Sequence, residues 1–177
     1  MKLEKHIVDT IKEWQLKLGD IDDHVCLYYP LDSICGYLGV QHGTDRDSLL
    51  HLTGRYLKEN APYLGNVRLS CPDDRMCIDV PAEGCCFVKQ NVEIPEFLRE
   101  FLSVLKEQDM DKIKALFYKY AESGNGAAVE DREADGLGTV LYFDRDDIDP
   151  YVYCIDQDVF GITYHRFAKS DYEKLKG

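Results

Sequence analysis

The sequence predicts an α+β fold, one domain over residues 1–177 in which an antiparallel sheet of about five or six strands is covered by helices. Three observations carry this. Helix-like and strand-like stretches fall in blocks instead of alternating, which argues against repeated βαβ units. The run Cys77-Ile78-Asp79 followed by Gly84 returns as Cys154-Ile155-Asp156 followed by Gly161, and Glu96 and Leu98 are echoed by Glu173 and Leu175. That repetition reads as two related hairpin-plus-helix units. The third is size and apolar content: 177 residues that are 45% hydrophobic can bury a core.

The elements follow in order. Leu3, Ile7, Ile11, Trp14 and Leu18 recur at helical spacing among charged residues, and Gly19 stops that helix. An extended stretch covers Val25 to Tyr29, the last residue biased out of the helical region by Pro30. Pro30 opens a short helix carrying Leu31, Ile34 and Leu38, ended by Gly39. Thr44 with Asp47 reads as a capping box for a helix whose apolar face holds Leu49, Leu52, Tyr56 and Leu57. Val67–Ser70, Met76–Val80 and Cys85–Lys89 read as short strands separated by turn residues. Pro95 starts a helix with Phe97, Leu98, Phe101, Leu102 and Leu105 on one side. Asp109 caps the next, which carries Met110, Ile113, Leu116, Phe117 and Tyr120, and so short a connection implies an antiparallel pair. Residues 124–138 are small, acidic and glycine-rich, the pattern of a mobile loop. Strands near 139–143, 151–155 and 159–167 precede a last helix begun by Ser170, with Glu173 at the capping-box position.

Composition narrows the function. Lys and Arg total 21 against 33 Asp and Glu, a formal charge of -12. Such a surface repels phosphate backbones, so nucleic acid is not an expected partner, whereas a basic protein is. The N-terminal residues intersperse Lys2, Glu4, Lys5 and Asp9 with apolar ones, which is not a signal peptide. No run approaches the ~20 apolar residues of a membrane span, so a cytoplasmic location away from membranes is expected. Seven cysteines, an odd number, sit mostly in apolar or alternating stretches, as reduced buried thiols do.

Candidate chemistry is sparse. Asp144, Asp146, Asp147 and Asp149 could supply oxygen ligands to a hard divalent cation, although the stretch lacks the glycine and glutamate of an EF-hand and Arg145 competes for the carboxylates. Asp20, Asp22 and Asp23 form a weaker cluster of the same kind. On the last strand, alternation puts Ile162, Tyr164 and Arg166 on one face and Thr163, His165 and Phe167 on the other. His165 has the chemistry of a general base and Arg166 that of an anion holder, and Tyr153, Tyr164, His165 and Arg166 together suit a binding surface. No Cys-x-x-Cys pair marks a zinc site, although Cys77 and Asp79 share a strand face. The glycine pairs at 124–126 and 136–138 lack the Lys-Ser/Thr ending of a phosphate loop, and no Gly-x-Ser-x-Gly elbow occurs.

The run Asp149-Pro150-Tyr151-Val152-Tyr153-Cys154, continued by Ile162-Thr163-Tyr164-His165-Arg166-Phe167 and Asp171-Tyr172-Glu173, resembles the C-terminal part of a family of uncharacterised bacterial proteins from gut anaerobes, a domain of unknown function. Leu27-Tyr28-Tyr29-Pro30-Leu31 is similar too, so the resemblance covers nearly the whole chain. It implies membership and no activity.

The sequence therefore favours a non-catalytic cytosolic module with an acidic surface, acting as a monomer or homodimer on a protein or small molecule and needing no cofactor. The alternative is a small metal-assisted hydrolase in which Asp144, Asp146, Asp147 and Asp149 hold a divalent cation beside His165.

Overall fold

The structure is a computed structural model that describes residues 1–19, 23–131 and 138–175. The α+β class is as the sequence predicts. Where the sequence suggests one sheet, the described strands divide between two antiparallel sheets of three and four strands. The chain gathers into two compact units, Met1–Glu93 and Ile94–Gly177. Among the described residues no helix is long and apolar enough to cross a membrane.

In the first unit, α1 (Leu3–Leu18), β1 (Val25–Pro30), α2 (Leu31–Leu38) and α3 (Arg46–Asn60) lead to a 3-10 turn at Pro62–Leu64, then β2 (Arg68–Ser70), β3 (Arg75–Val80) and α4 (Ala82–Asn91). The sheet runs β1-β3-β2, both pairs antiparallel. Its inner face, with Val25, Leu27, Tyr29, Met76, Ile78 and Val80, joins Leu3, Ile7 and Ile11 of α1 in one core. Period-two alternation sends Cys26, Tyr28, Cys77 and Asp79 to the other face. Gly39 ends α2 in the left-handed conformation, as a glycine beyond a helix C-terminus does.

Two local expectations change. The cap of α3 is Asp45, one residue after Thr44, and its side chain accepts from the Ser48 amide. Cys85–Lys89, read as a strand from its Cys-Cys-Phe-Val composition, lies inside α4. The cause is long-range. From α1, Lys12 Nζ donates to the carbonyls of Val88 and Lys89, each at 3.0 Å, and Gln15 Nε2 donates to that of Cys85 at 2.9 Å. These side chains occupy carbonyls of the C-terminal half of α4, and that of Val88 also accepts from the Val92 amide. The internal repeat also stops early. Both Cys-Ile-Asp runs lie on interior strands, yet Gly84 is helical while Gly161 opens a strand.

A half-buried edge of α3 gives the unit a titratable feature. Tyr56 donates to Glu4 Oε2 at 2.6 Å, and burial together with that carboxylate pushes the phenol up to about 12. The folded pKa lies above that of an exposed tyrosine. The contribution is thus complete below pH ~10 and lost as pH rises towards 12. Alkaline unfolding followed by circular dichroism should show a shallower loss of stability across that interval in Tyr56→Phe; an unchanged slope would mean that the Tyr56–Glu4 contact does not form.

The second unit contains α5 (Glu96–Leu105), α6 (Met110–Ser123), β4 (Ala128–Asp131), β5 (Thr139–Phe143), β6 (Tyr151–Asp158), β7 (Gly161–Ala168) and α7 (Lys169–Leu175). Asp109 caps α6 by accepting from the amides of Asp111 and Lys112. The helices α5 and α6 pair antiparallel, with Phe97 against Phe117 and Tyr120, and Glu100 bound to Lys119. Strand order is β4-β5-β6-β7, every pair antiparallel. One face, with Leu141, Phe143, Tyr151, Tyr153, Ile155 and Ile162, packs on α5 and α6. The other, with Val140, Val152 and Cys154, packs on Tyr172 of α7. Within the expected 124–138 loop, residues 128–131 form β4 against β5, and residues 132–137 lie outside the described residues.

Candidate functional site

The aspartates of the β5–β6 connection are placed individually. Asp144 Oδ1 accepts from the Ala127 amide at 2.7 Å, tying the loop to the start of β4. Asp147 takes both arms of Arg145, at 3.0 and 2.6 Å, and the guanidinium holds its carboxyl below the usual range. Asp146 pairs with Lys169. Asp149 is buried, accepting from the Tyr151 amide at 2.9 Å and the Tyr153 hydroxyl at 3.3 Å. Each of the four carboxylates thus holds a protein partner.

The last-strand residues separate. Register pairs Tyr153 with Arg166, Cys154 with His165 and Ile155 with Tyr164. Tyr153 is a core side chain, and Arg166 stacks over the Tyr151 ring at 3.7 Å on the α5–α6 face. His165 shares the α7 face with its register partner Cys154 and is exposed, its ring 6.4 Å from that of Phe167. Asp149 binds Tyr153 on the face opposite His165. The structure therefore brings Asp149, Tyr151, Tyr153 and Arg166 together and leaves His165 apart from them.

A different constellation lies on the outer face of the three-stranded sheet. Cys26 on β1 stands directly opposite Asp79 on β3, and His24 precedes Cys26 by two residues, which returns it to the same side. Among the described residues, His24, Cys26 and Asp79 are the one group of three metal-ligating side chains whose ligand atoms all lie within 4.8 Å of one another. Asp79 Oδ1 is buried and accepts no hydrogen bond. Burial first, then the Asp79 carboxylate and the Cys77 thiol, raise the Cys26 thiol above its ordinary value. Nδ1 of His24 sits 3.0 Å from Asp23, whose carboxyl is lowered chiefly by accepting from the His24 amide. Asp20 and Asp22, grouped with Asp23 by sequence, lie outside the described residues.

Sequence reasoning places Cys77 and Asp79 on one strand face but misses this group. The available signal is two side-chain pairs at i, i+2, His24 with Cys26 and Cys77 with Asp79, each delivered to one side of a strand. Their convergence requires the β1–β3 pairing. Cys85 and Cys154 fit the reading of inert thiols, each pushed up to about 11 by burial.

Two further surface features complete the picture. An open cavity of about 420 Å³ lies beside α3, floored by Leu57, Ala61 and Leu69 with Lys58 on its wall. At the β6–β7 turn, Val159 and Phe160 are 93% and 95% exposed. That turn is fixed: Asp158 Oδ1 accepts from the amides of Phe160 and Gly161, at 2.8 and 3.1 Å. Just beyond it, Gln108 accepts from the Ile162 amide and donates to the Ile162 carbonyl.

Comparison with curated proteins and with solved structures gave no match. Residues 1–176 match the profile of DUF3877, a domain of unknown function described from E. rectale, and the chain belongs to that family.

Proposed function

We propose that this chain is a non-catalytic binding module with an acidic surface, and that it seats the tip of the β6–β7 hairpin in a protein partner. The carrying observation is the near-complete exposure of Val159 and Phe160 on a turn held from both sides, by Asp158 within it and by Gln108 beneath it. A lone exposed apolar residue is ordinary. Two adjacent ones on an ordered turn present an aromatic anchor that has already lost its backbone freedom, which lowers the cost of association. The net charge of -12 favours a basic partner, because complementary potentials raise the encounter rate. The separation of His165 from Asp149 supports a non-catalytic reading, since general acid–base work requires groups that face one reacting atom.

A photoreactive phenylalanine analogue at position 160, activated in the native cytosol, should cross-link one basic protein. Phe160→Ala, with unchanged melting temperature, should lose that protein on affinity capture, and added salt should weaken capture by the wild type. Equal recovery of the same proteins by wild type and Phe160→Ala would exclude the tip as the contact.

A further inference from the structure

We infer that the outer face of the first unit's sheet binds one thiophilic divalent cation, with Zn²⁺ as the type, through His24, Cys26 and Asp79. This does not depend on a partner at the β6–β7 tip, which belongs to the other unit. The geometry is close to what such an ion needs. Tetrahedral ligands at ordinary zinc distances lie roughly 3.3–3.8 Å from one another, and the three ligand atoms here already lie within 4.8 Å of one another. Closing the set asks the ligand atoms to approach by about an ångström, and Cys26 and Asp79 are already direct register partners.

An independent observation points to the same ligand. Asp79 Oδ1 is buried with no hydrogen-bond donor, and its other oxygen is 3.9 Å from Arg68 Nε, beyond hydrogen-bonding range. Arg68 is 82% exposed and so largely hydrated, which leaves the Cys26 thiol as the carboxylate's close partner, on a face that carries two thiols. A buried acceptor without a donor costs free energy, and a bound cation removes that cost. Asp23 adds the carboxylate contact to a ring nitrogen that commonly orients ligating imidazoles.

The donor set selects the metal class. A thiolate with an imidazole disfavours Mg²⁺ and Ca²⁺, which take oxygen ligands, and suits Zn²⁺. On binding, the Cys26 S–H bond breaks, an S–metal bond forms and the proton passes to solvent. Three protein ligands leave a fourth position for water.

The test uses the full chain, stripped by a chelator and titrated with Zn²⁺ against a chromophoric competitor. One equivalent should bind with micromolar or tighter affinity. Cys26→Ser, Asp79→Asn and His24→Ala should each weaken binding by at least about tenfold, and Asp147→Asn should leave it unchanged. Co²⁺ should show a thiolate-to-metal charge-transfer band that Cys26→Ser abolishes. Because the His24 side chain is 56% exposed, His24→Ala keeps the fold and remains informative should the other two variants unfold. Absence of stoichiometric binding overturns the inference, as does unchanged affinity in His24→Ala. Loss in Asp147→Asn with retention in Cys26→Ser overturns it too, placing the ion in the 144–149 loop.

Discussion

Phe97→Ala should destabilise the protein by about 4 kcal/mol, a fall in Tm of roughly 8–16 °C for a chain of this size. Phe97 is buried where α5 meets α6 and the sheet of the second unit. Its ring stands edge-on to Phe117, Tyr120, Phe143 and Tyr153, with centroids 5.0, 5.2, 4.9 and 5.6 Å away. Edge-to-face pairs add about 0.5–1.5 kcal/mol each beyond burial. Four such contacts share one ring and are not additive, so the large-to-small range of about 3–5 kcal/mol sets the scale. Phe97→Leu restores most of the volume and none of the ring edges, and should lose about half as much. Thermal melts of the two variants separate the volume contribution from the aromatic one. A loss below about 1 kcal/mol for Phe97→Ala would mean that the site collapses onto the missing ring and that the cluster is not packed as described.

What could be read from sequence follows the range of the forces involved. The α1, α5 and α6 segments are legible because Leu3, Ile7 and Ile11, or Phe97 and Phe101, repeat within a helix's own period. Pro30 and Gly39 bracket α2 through their own backbone preferences, and Asp109 caps α6 with its own side chain. The misses depend on distant partners. Cys85 to Lys89 is apolar enough to pass for a strand, and its carbonyls as a helix are held in addition by the α1 side chains of Lys12 and Gln15, 76 and 70 positions away. Ala128 to Asp131 becomes a strand because β5 offers it a ladder.

The candidate sites obey the same rule. The conspicuous Asp144–Asp149 run is local, and its carboxylates are held by local or structural partners: a loop amide, Arg145, Lys169 and Tyr153. The inconspicuous group of His24, Cys26 and Asp79 spans 55 positions and exists only through strand pairing. Clustering in sequence is a poor guide to which side chains converge here, because neighbours on a loop point apart while i, i+2 pairs on adjacent strands point together.

Gly84→Ala should cost about 3 kcal/mol, a fall in Tm of roughly 6–12 °C, and should weaken any cation held by Asp79. In an exposed helix the same change stabilises by about 0.5–1 kcal/mol, since alanine loses less backbone entropy than glycine. Here packing outweighs propensity. A Cβ at position 84 would lie 2.3 Å from the Leu64 carbonyl oxygen and 2.9 Å from Val80 Cγ1. The first obstacle is backbone in the 3-10 turn and cannot rotate away, so α4 must retreat or β3 must shift. Val80 follows Asp79 on β3, and displacing it disturbs the carboxylate's register opposite Cys26. Gly54→Ala in α3 provides the contrast, since its Cβ would meet only Leu69 Cδ1 at an ordinary 3.5 Å. That variant should gain about 0.5–1 kcal/mol from helix propensity alone. Opposite signs in paired thermal melts would establish that α4 is pressed against the turn at Pro62–Leu64. A stabilised Gly84→Ala would show that the close approach of helix and turn does not exist, and with it the packing that fixes the end of β3 behind Asp79.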